Sequence, residues 1–342
     1  MKRFFCLLLA YFWVASWLSA QYVPDSLCVG YLSHVIQQPD DYEGRVICTV
    51  VKKPNLSNVH RAIVYVHGYN DYFFQTPLGD SVQAHGYNFY AVDLRKYGRS
   101  LLPNQDAFYC KNGRREYFQD IDSTIALARR EGNDTIVLMG HSTGGLTTSY
   151  YVKNRQEKSG VNALVLNSPF LDWNLSPVME RLGVPLVSFM GIFLKRVKIQ
   201  GTSSEPSCYS QSLLSSYHGE WNFNEDLKMP FGHTIRSGWT HAITRAQKHA
   251  RRRCRKIEIP VLVMSSDHSL EEKVEWEEAF KQADIVLDVK DIEKYGKRLG
   301  NNVTYRQITN GIHDLILSEK SVRDEAYRTL FEWLESQICG GE

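Results

Sequence analysis

Beyond its first twenty positions the chain has no apolar run long enough to cross a bilayer. The longest later stretch, Val184 to Leu194, falls well short of the roughly 20 residues a span requires. Neither sign of charge is in large excess, with 40 Lys+Arg against 38 Asp+Glu, so a nucleic-acid-binding chain is not expected. Cysteine and histidine show no metal-ligand spacing. There is no internal repeat, and with 23 Gly and 11 Pro in 342 residues no segment reads as collagenous or disordered. What remains is an ordinary globular composition, long enough for one large α/β domain carrying an insertion or for two small domains.

The first twenty residues stand apart. Lys2 and Arg3 precede an apolar stretch from Phe4 to Leu18, which ends in Ser19-Ala20-Gln21. This is the pattern of a secretory signal peptide with cleavage after Ala20, and it predicts an exported, periplasmic or extracellular protein. The alternative is an uncleaved segment that anchors the chain to a membrane. Losing Lys2 and Arg3 lowers the basic count to 38, equal to the acidic one. Six cysteines then remain, at 28, 48, 110, 208, 254 and 339. An even number in an exported chain predicts at least one disulfide, and Cys28 with Cys48 and Cys208 with Cys254 are the pairs closest in sequence.

Strand-like and helix-like segments alternate, which predicts an α/β fold with a mostly parallel sheet flanked by helices. Arg45–Lys52 reads as an early edge strand. Ala62–Val66, Phe89–Val92, Thr135–Met139, Ala163–Leu166, Ile259–Met264 and Asn302–Ile308 read as core strands. Residues 115–131 and 321–336 carry apolar positions at helical spacing. The alternation lapses over 170–257. This gives a signal peptide at 1–20, a core at 21–169 and 258–342, and a cap insertion at 170–257. Within the cap, Phe189, Met190, Ile192, Phe193 and Leu194, with Trp173, Trp221 and Trp239, are candidates to line an acyl-chain tunnel. No acidic cluster that would bind a free amine is apparent there. Residues 245–256 hold seven Lys and Arg, either a solvated helix face or a site of peripheral contact with an anionic membrane surface.

One motif carries chemistry. Gly140-His141-Ser142-Thr143-Gly144 directly follows the Thr135–Met139 strand and precedes a helix-like stretch. This is the G-x-S-x-G nucleophile elbow in its expected context. The glycines let the backbone fold tightly around Ser142, so the hydroxyl is presented above the sheet edge. The amide of Thr143, at the start of the helix, can stabilise developing negative charge. A second amide is expected from the loop after Ala62–Val66, where His67-Gly68 permits close approach, and it is assigned to Tyr69. His67 is expected to pack beneath that loop, and His141 to point back under the sheet.

His313 lies in Gly311-Ile312-His313-Asp314, just after a strand, so its loop opens on the face of the elbow. It is the candidate base. Asp284 and Asp267 are the candidate acids. Asp284 precedes His313 by 29 residues and Asp267 by 46. The shorter gap accommodates one helix, about 290–299, and one strand, whereas the longer must also hold a helix-like stretch at 270–282. Asp284 is therefore preferred and Asp267 kept as the alternative. Asp288 and Asp314 are weaker rivals.

The segments His67–Phe74, Asp93–Ser100, Gly140–Leu146, Leu166–Asp172 and His313–Leu315 together resemble the serine α/β-hydrolases of the lysophospholipase and monoacylglycerol-lipase type, which carry the serine aminopeptidase domain. The resemblance spans roughly residues 40–338. It implies the α/β-hydrolase fold with a cap insertion and a Ser142–Asp284–His313 triad. It also implies hydrolysis of a small-molecule or lipid ester, a fatty-acyl ester such as a lysophospholipid or monoglyceride first, without metal or organic cofactor. A secreted esterase acting on short or aromatic acyl groups, a serine aminopeptidase-type peptidase and an inactive hydrolase fold used for binding are the alternatives.

Overall fold

The computed structural model describes residues 21–111 and 114–339. The signal-peptide reading of residues 1–20 therefore lies outside the described residues. Nine strands form one sheet. They are β1 (Val23–Pro24), β2 (Leu32–Asp41), β3 (Gly44–Lys52), β4 (Arg61–Val66), β5 (Asn88–Asp93), β6 (Thr135–His141), β7 (Ala163–Asn167), β10 (Val261–Ser266) and β11 (Val303–Ile308), while β8 (Lys198–Gln200) and β9 (Ile235–Arg236) form a separate pair. The order across the sheet is β1-β2-β3-β5-β4-β6-β7-β10-β11. Pairing from β5 to β11 is parallel, and β1, β2 and β3 join antiparallel at one side.

The parallel strands are near-continuous apolar runs because both faces of the sheet are covered. Period-two alternation sends Val64, Val66 and Leu138 to one layer and Ile63, Tyr65 and Met139 to the other. The first layer is closed by α2 (Phe118–Arg130), α3 (Thr143–Arg155) and α6 (Ser237–Ala250), the second by α1 (Thr76–Ala84) and α8 (Lys320–Leu334). The order reverses at β4, which pairs with β5 on one side and β6 on the other. At such a switch point the loops leaving adjacent strands diverge and open a crevice at their carboxyl ends.

Three expectations change. The Arg45–Lys52 strand is not an edge: β3 lies between β2 and β5. β2 is polar and half-exposed, so its alternation is weak in the sequence. The stretch 270–282 is not an α-helix; it is mostly extended loop, with a single 3-10 turn at Glu278–Lys281. The expected disulfide is not found among the described residues, where Cys28, Cys48, Cys110, Cys208 and Cys254 are all free thiols, so neither Cys28–Cys48 nor Cys208–Cys254 is paired. Cys28 and Cys48 belong to opposite hydrophobic layers of the sheet. Cys208 is buried against the 273–275 loop, with Sγ 3.3 Å from the Lys273 carbonyl, whereas Cys254 is exposed.

Residues 170–257 are not uniform. Helix α4 (Val184–Phe193) packs on α6 through Val184, Ser188 and Gly191; a Cβ on Gly191 would lie 2.2 Å from the Ser237 carbonyl oxygen. Helix α6 in turn contributes Trp239, Ile243 and Ala246 to the main core. Helix α5 (Cys208–Leu213) and the loop at 224–229 lie over the β4 and β11 loops instead.

Candidate active site

Ser142 is the turn between β6 and α3. Its backbone is at φ 51°, ψ −115°, a region that a non-glycine residue occupies only under strain. The neighbouring glycines make the turn possible. A Cβ on Gly144 would lie 2.3 Å from the His67 carbonyl oxygen, and one on Gly140 would lie 2.6 Å from Thr148 Oγ1. The Ser142 N–H donates to the Asn167 carbonyl at the end of β7, and the Ser142 carbonyl accepts from Leu146 and Phe170. Ser142 lines a cavity of about 1230 Å³.

His313 arrives from the loop after β11. Its Nε2 is 2.9 Å from Ser142 Oγ, and its Nδ1 is 2.9 Å from Asp284 Oδ2. Asp284 is fully buried, and its other oxygen, Oδ1, accepts the Val286 and Leu287 N–H groups at 2.8 Å each. A carboxylate so bonded draws the imidazole proton to Nδ1. Nε2 is then left to accept the serine hydroxyl proton. Ser142, His313 and Asp284 thus form one continuous hydrogen-bonded chain.

The rival carboxylates are engaged elsewhere. Asp267 Oδ1 accepts from His268 Nδ1 at 2.9 Å and from the Asn310 N–H at 3.1 Å. Asp288 caps helix α7 (Val289–Gly296) by accepting the Lys290 N–H. Asp314 Oδ1 accepts from Asn167 Nδ2 at 2.6 Å, and burial, with Asp71 nearby, pushes its carboxyl up to about 7. The sequence spacing favours Asp284 over Asp267, but not for the reason of an intervening helix. Asp284 pairs with Ser269 in an isolated bridge just beyond β10. Residues 270–283 are an excursion that returns the chain to the strand's end.

Tyr69 and His141 line the same cavity, and Thr143 is the first residue of α3. Gly68 brings the Tyr69 loop against the elbow: a Cβ there would lie 3.4 Å from Ser142 Cβ. His67 is buried beneath the loop, with Nδ1 2.8 Å from the Gly68 carbonyl, while Nε2 accepts the Leu94 N–H. Burial holds it below its ordinary pKa, in the neutral form. His141 does not turn away under the sheet as expected. Its ring centroid lies 4.9 Å from that of His313, and Nδ1 faces the Asn167 carbonyl at 3.2 Å. Burial and the neighbouring His313 hold it well below the ordinary histidine range, so no second cation competes with a protonated His313.

Residues 57–320 match the Hydrolase_4 family, described as serine aminopeptidase, S33. The chain belongs to this family. The chain is similar to the probable lysophospholipase L2 of Haemophilus influenzae, with 26% identity over 206 residues, which cover 58% of this chain and 59% of that relative. Its fold is shared by a soluble variant of monoglyceride lipase from Saccharomyces cerevisiae bound to a substrate analogue. That structure has a TM-score of 0.63 and 16% identity, covering 88% of this chain and 94% of the other. Monoacylglycerol lipase from Paleococcus ferrophilus gives a TM-score of 0.56 and 20% identity, covering 89% and 99%. The chain thus combines membership of the serine aminopeptidase S33 family with the α/β-hydrolase fold.

Other residues of the site carried no local signal. Tyr209 of α5 sets its ring edge-on to His313, with centroids 5.6 Å apart. Asn167 joins β7 to the His313 loop by donating to Asp314 and accepting the Leu315 N–H. Both depend on partners more than a hundred residues away. The acyl-tunnel candidates are not where the sequence put them. None of Phe189, Met190, Ile192, Phe193, Leu194, Trp173, Trp221 or Trp239 lines the Ser142 cavity. Small residues face α6, so the large side chains of α4 point outward, and Leu186, Phe189 and Phe193 are 69%, 61% and 73% exposed. The cavity wall is instead mixed: Leu175, Met229, Ile285 and Val286 stand beside the carboxylates of Asp267, Glu271, Glu272 and Asp288.

Proposed function

We propose that this protein is an exported serine hydrolase that cleaves carboxylic esters, fatty-acyl esters first, through Ser142, His313 and Asp284. The observation that carries the reading is the unbroken Ser142–His313–Asp284 chain, with both links at 2.9 Å. His313 Nε2 takes the hydroxyl proton as Ser142 Oγ attacks the ester carbonyl. Asp284 holds the Nδ1 tautomer and stabilises the imidazolium. The amides of Tyr69 and Thr143 receive the oxyanion. His313 then gives its proton to the departing alkoxide, which leaves as the alcohol. Water, deprotonated by the same imidazole, hydrolyses the acyl-enzyme and restores Ser142. The residues supply nucleophile, base and oxyanion donors, so the scheme needs no metal or organic cofactor.

The reading extends to the surface the enzyme works on. Val178, Leu182, Leu186, Phe189 and Phe193 are exposed, and the last four recur at helical spacing to form an outward apolar stripe. Leu175, in the turn just before this stripe, is 44% exposed and lines the Ser142 cavity. Arg245 and Lys248 stand exposed on the adjacent helix α6. An apolar stripe beside basic side chains suits peripheral contact with an anionic lipid surface. In the basic cluster at 251–256, Arg251 pairs with Asp172 and Arg255 donates to the Asn154 carbonyl, while Arg252, Arg253 and Lys256 are exposed.

A second reading, a peptidase that removes N-terminal residues, is favoured by one observation. The carboxylates expected for a free amine, absent from the cap sequence, line the cavity from the loop after β10 and from the start of α7. A hydrolysis panel separates the two readings. The mature protein is given esters of graded chain length, a lysophospholipid, a monoglyceride and aminoacyl anilides, with Ser142→Ala as blank. Faster turnover of any fatty-acyl ester than of the anilides supports the ester reading, and the reverse order supports the peptidase. Full activity in Ser142→Ala, or fluorophosphonate labelling at another residue, refutes both.

A further inference from the structure

The loop that carries Tyr69 is not held by the core alone. Its next three residues all bond to one stretch of chain, residues 224–229. Asn70 Nδ2 donates to the Met229 carbonyl at 2.8 Å, and the Met229 N–H donates back to Asn70 Oδ1 at 2.9 Å. Lys228 Nζ donates to Asp71 Oδ1 at 2.9 Å, with the two side chains 11% and 1% exposed. The Asn224 N–H donates to Tyr72 Oη at 2.8 Å. Asn70 itself is at φ 50°, a strained conformation that persists only when its surroundings enforce it.

We infer that Lys228 is a positioning residue for the oxyanion-binding loop, and that it acts through Asp71 and Asn70 to hold the Tyr69 amide on the Ser142 side of the cavity. The inference rests on the serine mechanism proposed above. Asp71 Oδ2 has no partner among the described residues, so the ammonium of Lys228 is what compensates this buried carboxylate. Without it, the carboxylate gains by swinging toward solvent in the cavity it already lines, because an uncompensated buried charge is strongly disfavoured. Such a swing carries the adjacent Asn70 out of its strained turn and takes the Tyr69 N–H with it. The lysine is well placed for this role. Its Nζ is 5.7 Å from the ring centroids of both Phe74 and Phe223, which confine it.

An oxyanion donor acts on the transition state, so the loss appears in kcat and not in KM. The test uses the full mature chain with p-nitrophenyl butyrate, an uncharged soluble ester. The fraction of competent sites is counted by fluorophosphonate titration, and affinity is measured for an alkyl trifluoromethyl ketone, whose adduct with Ser142 places an oxyanion in the same position. Lys228→Met is expected to lower kcat per titrated site by roughly 10- to 300-fold, up to the range seen on removing one oxyanion donor. KM should stay within about threefold, and ketone affinity should fall in parallel with kcat. Lys228→Arg, which keeps the ion pair, should recover most of the loss. If Lys228→Met does not fold, Asn70→Ala reports on the same loop with the ion pair intact and should also lower kcat and ketone affinity together. Unchanged kcat per titrated site and unchanged ketone affinity, whatever the shift in melting temperature, would overturn the inference. A wild type that binds neither ketone nor fluorophosphonate would instead sink the serine mechanism itself.

Discussion

Replacing Asp284 by Asn tests the proposed chemistry most directly, because the structure fixes which way the new amide turns. Asp284 Oδ1 accepts two backbone N–H groups, from Val286 and Leu287, at 2.8 Å each. Only the oxygen of an Asn amide can occupy that position. The NH2 must then face His313 Nδ1, where Asp284 Oδ2 now accepts at 2.9 Å. A donor there requires Nδ1 to be the unprotonated nitrogen, which puts the ring proton on Nε2, facing Ser142 Oγ. The base is thereby disabled with little change in shape. An equivalent tautomer reversal in a serine triad costs about four orders of magnitude in turnover, which is about 5.4 kcal/mol of transition-state stabilisation. The fold should survive, since both backbone bonds are kept. The assay is kcat on a soluble p-nitrophenyl ester, with the melting temperature measured alongside. Retention of more than about a tenth of wild-type kcat would refute the orienting role. A collapse in Asp267→Asn with Asp284→Asn near wild type would transfer the role to Asp267.

Gly144→Ala should fail to accumulate as folded protein, or should lose several kcal/mol of stability, because the new methyl would meet backbone oxygens of Val66 and His67 at 2.4 and 2.3 Å; soluble yield and urea unfolding measure this, and wild-type stability would contradict it. Asp314 makes stability depend on pH: its carboxyl, pushed up to about 7 by burial and by Asp71, keeps its proton in the fold after the unfolded chain has lost it, so its contribution falls as pH rises from about 4 to about 7. Asp314→Asn removes that slope, and its gain in melting temperature should be larger at pH 8 than at pH 5; an equal gain at both would refute the assignment. Changing Leu186, Phe189 and Phe193 together to Ser should abolish co-sedimentation with anionic vesicles while leaving kcat on a soluble ester unchanged. Persistent co-sedimentation would remove α4 from the membrane reading.

The turn that carries the candidate nucleophile was legible from the chain because it depends on local backbone geometry. Gly140, Ser142 and Gly144 are the residues a strained strand-to-helix turn requires, and the turn forms at that place with its glycines against backbone oxygens. The core strands could be read for a related reason: a parallel strand covered on both faces must be apolar along its length, as in Ala62–Val66 and Val261–Met264. His313 follows from the same logic, since a loop at the carboxyl end of a late strand opens onto the elbow.

Tertiary structure decided whatever depends on a partner distant in sequence. β2 is an unremarkable polar stretch until it pairs with β3. The apolar residues of Val184–Leu194 carry no sign of direction; only the close approach of Gly191 to Ser237 turns Phe189 and Phe193 outward and leaves the cavity wall to other segments. Cys28 and Cys48, neighbours in sequence, end in opposite layers because the sheet runs between them. Asp284 reaches His313 because a non-helical excursion returns it to the end of β10, where it bridges to Ser269. Sequence periodicity records how a segment faces the core as a whole. It holds no record of which other segment it will touch, and in this protein the carboxylate chosen, the cavity wall and the Asn70–Lys228 contacts are all contacts of that second kind.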